Sequence, residues 1–302
     1  MPASLPRDLA ARLTTQFGPS AVRDMERVLS RDRLTTCRVN TLKTTDDKIM
    51  GLFREQNIAF ERVKDIPHAF KIKNKTDREL LELPLTVDGL IYLQGISSML
   101  PPIVLDPQPG EMILDMCAAP GSKTTQLAAL ADNQAKIIAI EEDDIRYQKL
   151  VNTILIQGAS SVETRHGDSA QIYKELSEAF DKILADVPCS AEGRINLNEP
   201  RSYKYWSEKN IVAHAKLQRR ILRSAVACLK PGGTLIYSTC TLAPQENEDM
   251  IGWLITEYPE MKPVEVTVPI KGIRKTAHKT ITVLPTDEAE GFFVAKLLKS
   301  NS

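Results

Sequence analysis

The stretch Met112-Ile113-Leu114-Asp115-Met116-Cys117-Ala118-Ala119-Pro120-Gly121-Ser122-Lys123-Thr124-Thr125 decides how this chain folds. An apolar run of strand length ends on an acid, bends through small residues and Pro-Gly, and enters the helix-forming run Thr125 to Leu130. A strand, a tight loop and a helix start aim unpaired backbone N–H groups and the positive end of a helix dipole at whatever lies above the strand. That suits a carboxylate or another anionic group. Two nucleotide fingerprints are absent. A phosphate-cradling Walker loop needs Gly-Lys adjacent before Ser or Thr, but Ser122 separates Gly121 from Lys123. The three spaced glycines of a dinucleotide loop are replaced by Cys, Ala and Pro. The bland alternative is a small-residue turn that only packs helix on strand.

Downstream of this loop, strands and helices alternate, which predicts a parallel sheet covered on both faces. Lys136 to Glu141 reads as the second strand and ends on an acid. In doubly wound folds such an acid, beyond the carboxyl end of the strand, receives ribose hydroxyls. Arg146 to Gln157 reads as a helix and Val162 to His166 as the third strand, followed by Gly167-Asp168. Phe180 to Val187 is the fourth strand, stopped by Pro188, with Cys189 next. Ser207 caps a long helix that Pro231-Gly232-Gly233 ends. Thr234 to Tyr237 is the fifth strand, running out through Ser238-Thr239 to Cys240. Gln245 to Tyr258 is read as one further helix, and Gly291 to Leu297 as an antiparallel edge strand.

Upstream, residues 1–35 have loose helical spacing. Residues 36–95 read as a small α+β layer: strands at 36–42, 59–63, 69–72 and 90–93, with a helix over 44–56. Arg38, Lys43, Lys71, Lys73 and Lys75 make this layer either an RNA face or a solvated surface. Gln94 to Pro102 bridges to residues 96–302, its serines expected to cap a helix that Pro101 enters early.

The 302 residues hold 39 basic and 39 acidic side chains, so any basic face must be local. There is no apolar run of membrane-spanning length, and the first thirty residues do not read as a signal peptide. We therefore expect a cytoplasmic chain without membrane attachment. Five scattered cysteines and four histidines form no metal-ligand spacing, so neither a disulfide scaffold nor a metal site is expected.

Chemistry follows from position. Asp186, Cys189 and Cys240 all fall just past the ends of the fourth and fifth strands. If those strands are neighbours, about 4.8 Å apart, both thiols face one ligand. A thiolate adds well to the electron-poor C6 of a pyrimidine. The addition turns C5 into an enamine-like carbon that takes a methyl group, while an acid holds the ring and a second thiol assists proton removal and release. The base must be single-stranded or flipped out of its stack. Chemistry alone does not rank the two thiols.

These residues resemble the Fmu/Sun/Nop-type (NSUN-like) RNA cytosine-C5 methyltransferase family. Asp115 to Thr125, Asp186 to Gly193, and Ser238 to Leu242 with Gln245 to Glu248 are similar to three of its motifs, in the same order. Arg38 to Lys43 and Gln94 to Pro102 are similar to its amino-terminal region. The resemblance implies a Rossmann-like S-adenosylmethionine-dependent methyltransferase core with a smaller α+β, RNA-recognition-like amino-terminal domain, acting as a monomer on rRNA or, second, on tRNA. It also implies roles. Cys117, Ala118, Ala119, Pro120, Gly121, Ser122 and Lys123 would cradle the methionine part of the cofactor. Glu141 would take the ribose hydroxyls with Arg146 nearby, and Asp168 would meet the adenine edge. Asp186 would contact the cytosine and border the cofactor, Cys240 would be the nucleophile, and Cys189 would help release product. Lys123 would touch the base, or only bridge to an acid. Three places depart from the pattern: Glu141 stands where Asp is usual, Ala191 where Gly is common, and Leu284-Pro285-Thr286 lacks a His often seen after that Pro. The rivals are a DNA cytosine methyltransferase attacking with Cys189 and a non-catalytic RNA-binding factor.

Overall fold

The computed structural model describes residues 4–268 and 270–301. It opens with the helices α1 (Arg7–Phe17) and α2 (Pro19–Leu29), which bury Leu9, Leu13, Val22 and Met25. Next come β1 (Thr35–Val39), α3 (Asp46–Glu55), β2 (Phe60–Arg62), β3 (Ala69–Ile72), the short helices α4 (Asp77–Leu81) and α5 (Pro84–Val87), and β4 (Ile91–Leu93). These strands form an antiparallel sheet in the order β2-β3-β1-β4. Phe53 of α3 meets Phe60 and Phe70 at ring-centroid distances of 5.3 and 5.9 Å, sealing one face. Each such buried ring contributes about 2–3 kcal/mol.

The main sheet follows. Its elements are α6 (Ile96–Leu105), β5 (Met112–Asp115), α7 (Ser122–Leu130), β6 (Lys136–Glu141), α8 (Asp144–Gln157), β7 (Val162–His166), β8 (Phe180–Asp186), α9 (Glu208–Cys228), β9 (Leu229–Thr239), α10 (Glu248–Glu257), β10 (Met261–Val264), β11 (Ile273–Lys275), β12 (Ile281–Val283) and β13 (Phe292–Lys299). Strand order is β11-β12-β13-β9-β8-β5-β6-β7, with β10 beside β13. From β9 to β7 every pair is parallel. Successive side chains feed opposite cores, as period-two alternation requires. Leu114, Ile138, Ile183 and Leu235 pack under α9 and α10. Ile113, Ile137, Leu184 and Ile236 pack under α6 and α7.

Several elements differ from the sequence reading. The serines of Gln94–Pro102 do not cap α6, whose N-cap is Gly95, and Pro101 and Pro102 lie inside the helix. Pro102 cannot donate to the Ser98 carbonyl, and Gln94 Nε2 satisfies that carbonyl instead at 3.1 Å. Helix α9 stops at Cys228, and Pro231-Gly232-Gly233 lies within β9, absorbed as a bulge between Phe180 and Lys182 of the partner strand. Residues 244–246 form a 3-10 turn separate from α10. Strand β11 is additional. Strand β13 is not an edge, because β9 covers one side and β10 and β12 the other. Its continuous buried run Phe292 to Ala295 is the mark of a strand covered on both faces.

Of the basic set on the small sheet Arg38 and Lys71 are buried, while Lys73 and Lys75 make solvent-facing ion pairs. Arg38 is buried, with Nε 2.9 Å from Gln94 Oε1 and Nη2 2.6 Å from Thr125 Oγ1, so it pins β1 to α7. Lys71 pairs with Glu288 at 2.7 Å, Lys73 with Glu61 at 2.6 Å and Lys75 with Glu79 at 3.5 Å. Lys43 Nζ donates to the Asp88 carbonyl at 2.8 Å. Among the described residues no helix is long and apolar enough to cross a membrane.

Candidate active site

The loop after β5 is held from both sides: Met116 N–H donates to the Leu184 carbonyl of β8 and Ala118 N–H to the Ile140 carbonyl of β6. Asp115, 1% exposed, accepts from Thr124 Oγ1 at 2.7 Å, while its Oδ1 is buried without a partner. Burial raises its pKa to about 7. Gly121 caps α7 at φ 106°, and a Cβ there would meet Thr153 Cγ2 at 3.0 Å, so only glycine fits.

A cavity of about 520 Å³ opens above this loop. Cys117, Ala118, Ala119, Pro120, Ser122 and Lys123 line it on one side; Asp186, Cys189, Cys240 and Arg194 line it on the other. Gly121 does not line it and serves the turn instead. Glu141 and Asp168 lie in a second cavity of about 370 Å³, walled by Met116, Leu217 and Ile221; Cys117 and Arg146 border both. Glu141, almost wholly buried, accepts from Ala119 N–H at 3.3 Å and from Arg146 Nη1 at 3.3 Å. Asp168 accepts from Ala170 N–H at 2.9 Å and from Arg220 Nη2 at 3.1 Å.

Strands β8 and β9 are neighbours, and Cys189 Sγ lies 3.2 Å from Cys240 Sγ. Both are free thiols. Asp186 accepts from Lys123 Nζ at 2.6 Å and from Ser238 Oγ at 2.7 Å. The two thiols sit in unlike fields. The hydrogen bond from Cys189 lowers the Cys240 pKa against the opposing effect of burial, and the Arg194 guanidinium adds to the lowering. The same bond, together with burial and the nearby Glu246, pushes Cys189 well up. These influences favour a thiolate on Cys240 over one on Cys189.

The turn carrying Cys189 is tied to β13 by a backbone crossing. Gly193 N–H donates to the Cys240 carbonyl and Gly291 N–H to the Gly193 carbonyl. A Cβ on Gly193 would lie 1.9 Å from the Gly291 oxygen. Nearby, Glu192 is buried, paired with Arg12 of α1 and accepting from Trp206 Nε1 at 2.7 Å. Trp206 is therefore an anchor, whereas Tyr205 beside it is 71% exposed under Lys204.

Residues 102–298 match the family described as 16S rRNA methyltransferase RsmB/F. The chain belongs to that family. The ribosomal RNA small subunit methyltransferase F of Shewanella loihica is 38% identical, aligned over 95% of this chain and 63% of its own length. The tRNA (cytosine(49)-C(5))-methyltransferase of Pyrococcus abyssi is 37% identical over 87% of each chain. The crystal structure of a methyltransferase homolog protein from Pyrococcus horikoshii matches with TM-score 0.84 at 31% identity, covering 98% of this chain and 95% of that one. The chain spans 63% and 58% of the length of two curated Shewanella rRNA relatives. As an RsmB/F member it has the expected α/β, Rossmann-like methyltransferase core.

Three site residues have no role assigned from sequence. Asp115 ends a strand, Glu246 falls at the start of the helix expected over Gln245 to Tyr258, and Arg194 is not singled out. The signal available for Glu246 was an acid followed by Asn247 and Glu248 directly after the Cys240 segment.

Proposed function

We propose that this protein is an S-adenosylmethionine-dependent RNA methyltransferase that forms 5-methylcytosine through a covalent bond between Cys240 and C6 of the base. The observation that carries this reading is the pair of thiols 3.2 Å apart in the cavity that the Cys117–Lys123 loop also lines.

The two cavities suit the cofactor. Apolar walls at Met116, Leu217 and Ile221 with an acid at either end fit a nucleoside, and Glu141 and Asp168 would hold its ribose and base edge. The loop from Cys117 to Lys123 would hold the amino-acid part. When bound, S-adenosylmethionine supplies an electrophilic methyl group on sulfonium sulfur.

The chain's own residues do the rest. Cys240 thiolate adds to C6 of an extruded cytosine, and the C5=C6 electron pair moves to C5, which becomes nucleophilic. Asp186, held by Lys123 and Ser238, hydrogen-bonds the base and stabilises charge at N3. After methylation Cys189, once it has given its own proton to solvent, is placed to take the C5 proton. The C5–H electrons re-form the C5=C6 bond as the C6–S bond breaks, and Cys240 leaves as thiolate. Tyr205 with Lys204 offers a stacking and phosphate contact for single-stranded RNA. The domain boundaries at 35 and 95 separate the helical hairpin and the small sheet, which we assign to RNA docking, from the catalytic unit.

Ribosomal RNA is the first substrate class, supported by the family description; tRNA is the second, supported by the Pyrococcus abyssi relative. Thiol replacement tests the mechanism. Cys240→Ala abolishes both methyl transfer and the protein–RNA adduct, and Cys189→Ala lets the adduct accumulate. An adduct formed by the Cys240→Ala protein rejects the assignment and favours attack by Cys189. Tight RNA binding without transfer from labelled donor favours the non-catalytic reading.

A further inference from the structure

Glu246 is fully buried in the turn after β9. Its carboxylate accepts from Ser190 N–H at 3.1 Å, from the Ser190 hydroxyl and from Gln218 Nε2 at 2.8 Å. Gln218, itself fully buried on α9, also donates to the Pro188 carbonyl at 2.9 Å. One carboxylate therefore holds the residues on both sides of Cys189, directly through Ser190 and through Gln218 at Pro188. Among the described residues no lysine, arginine or histidine forms an ion pair with it; burial raises its pKa, and the hydrogen bonds from Ser190 and Gln218 pull it back down. A buried acid left without a counter-ion is expensive to keep, and such groups concentrate where a charge is needed.

We propose that Glu246 is a positioning residue for the thiol pair. It fixes the Pro188-Cys189-Ser190 turn and, by its charge on that side, keeps Cys189 protonated so that Cys240 is the sulfur that ionises. The inference rests on reading the pair as the reactive centre, and it explains how one of two adjacent thiols is selected. Cys189 faces Cys240 and Glu246. Cys240 faces Cys189, Arg194 from the turn after Cys189, Asp186 from β8 and Glu290 ahead of β13. Asp186 is itself paired with Lys123 of α7. A negative charge thus stands on the Cys189 side and a guanidinium on the Cys240 side, so a shared proton rests on Cys189. Several contacts pull the other way: the Asp186 and Glu290 carboxylates oppose ionisation of Cys240, and the N–H groups of Cys240, at 3.3 Å, and of Ala191 favour a thiolate on Cys189. Asp186 and Glu290 are each offset by a cation, Lys123 at 2.6 Å and Arg33 at 2.7 Å, whereas Glu246 has no ion-pair partner among the described residues, and a peptide dipole is weaker than a full charge at comparable range.

The test is residue-resolved alkylation with iodoacetamide, read by mass spectrometry over a pH series spanning the thiol range, about 6 to 10. In the intact wild-type protein Cys240 reacts with a lower pH midpoint than Cys189. In Glu246→Gln, which keeps the shape and removes the charge, the Cys189 midpoint falls by about 1 pH unit and the gap to Cys240 narrows. Glu246→Asp, which keeps the charge, retains the wild-type order. A purely structural role for Glu246 would lower the unfolding midpoint and leave the two alkylation midpoints the same distance apart, and that result overturns the proposal. So does a reversed order in the wild-type protein, for which no variant has to fold. The assay uses neither RNA nor methyl donor. A protein that alkylates as described yet methylates no RNA keeps this inference and loses the proposed activity.

Discussion

Lys123 Nζ stands 2.6 Å from Asp186 Oδ2, with 10% and 24% of the two side chains exposed, at the point where the Cys117–Lys123 loop meets the thiol-bearing strand ends. The pair joins α7 to β8, and the second oxygen of Asp186 is fixed by Ser238 of β9. Replacing Asp186 by Asn keeps the Ser238 contact but removes the charge that Lys123 pairs with and that the proposed mechanism sets against the base. Methyl transfer to RNA should fall by about 100-fold or more, with the unfolding free energy lowered by only about 1–2 kcal/mol. Retention of activity within roughly threefold would make the pair a strut and nothing more.

Arg194 lowers the Cys240 pKa, second to the hydrogen bond from Cys189. Loss of that cation raises the pKa and shrinks the thiolate fraction at neutral pH. For Arg194→Gln the rising limb of the methylation rate should therefore move to higher pH, with most of the deficit recovered in alkaline buffer. A pH–rate profile of single-turnover methyl transfer reads this directly, and an unshifted limb contradicts it.

Asp115 carries a folded-state pKa of about 7, raised by burial, against about 3.9 for an unfolded aspartate. Its stabilising contribution is fully present below about pH 4 and is lost as pH rises through about 7. Asn mimics the protonated form. Asp115→Asn should match the wild type near pH 4 and exceed it at pH 8 by on the order of 4 kcal/mol in urea unfolding. Equal midpoints at both pH values would mean that Asp115 titrates normally in the fold.

Ala191 adopts φ 57°, in the left-handed region, within the turn that follows Cys189. A side chain in that region costs about 1 kcal/mol relative to glycine. Ala191→Gly should stabilise the protein by about that amount, partly offset by the greater freedom of the unfolded chain. Thermal unfolding of the single variant checks the sign.

The parallel core was legible because β5, β6 and β8 are short apolar runs ending on acids, and because Pro188 forces the chain out of the sheet. The placement of Cys189 and Cys240 followed from neighbouring strands, so it too could be read from spacing. What could not be read depends on tertiary partners. Pro231-Gly232-Gly233 reads as a stop signal, yet a register slip against β8 lets the strand pass through it. Glu246 reads as a dipole acid until Ser190 and Gln218, distant in sequence, arrive to hold it. Arg38 reads as part of a basic surface until Gln94 and Thr125, distant in sequence, fold onto it.

The crossing of Gly193 over Gly291 leaves no room for a β-carbon on the turn side, so two segments nearly a hundred positions apart behave as a single mechanical part. Anyone seeking to retarget this scaffold by loop exchange would have to transplant 189–194 together with 290–292. A swap of either alone would wedge a methyl group or larger into carbonyl oxygen and pry the sulfur-bearing bend off the sheet.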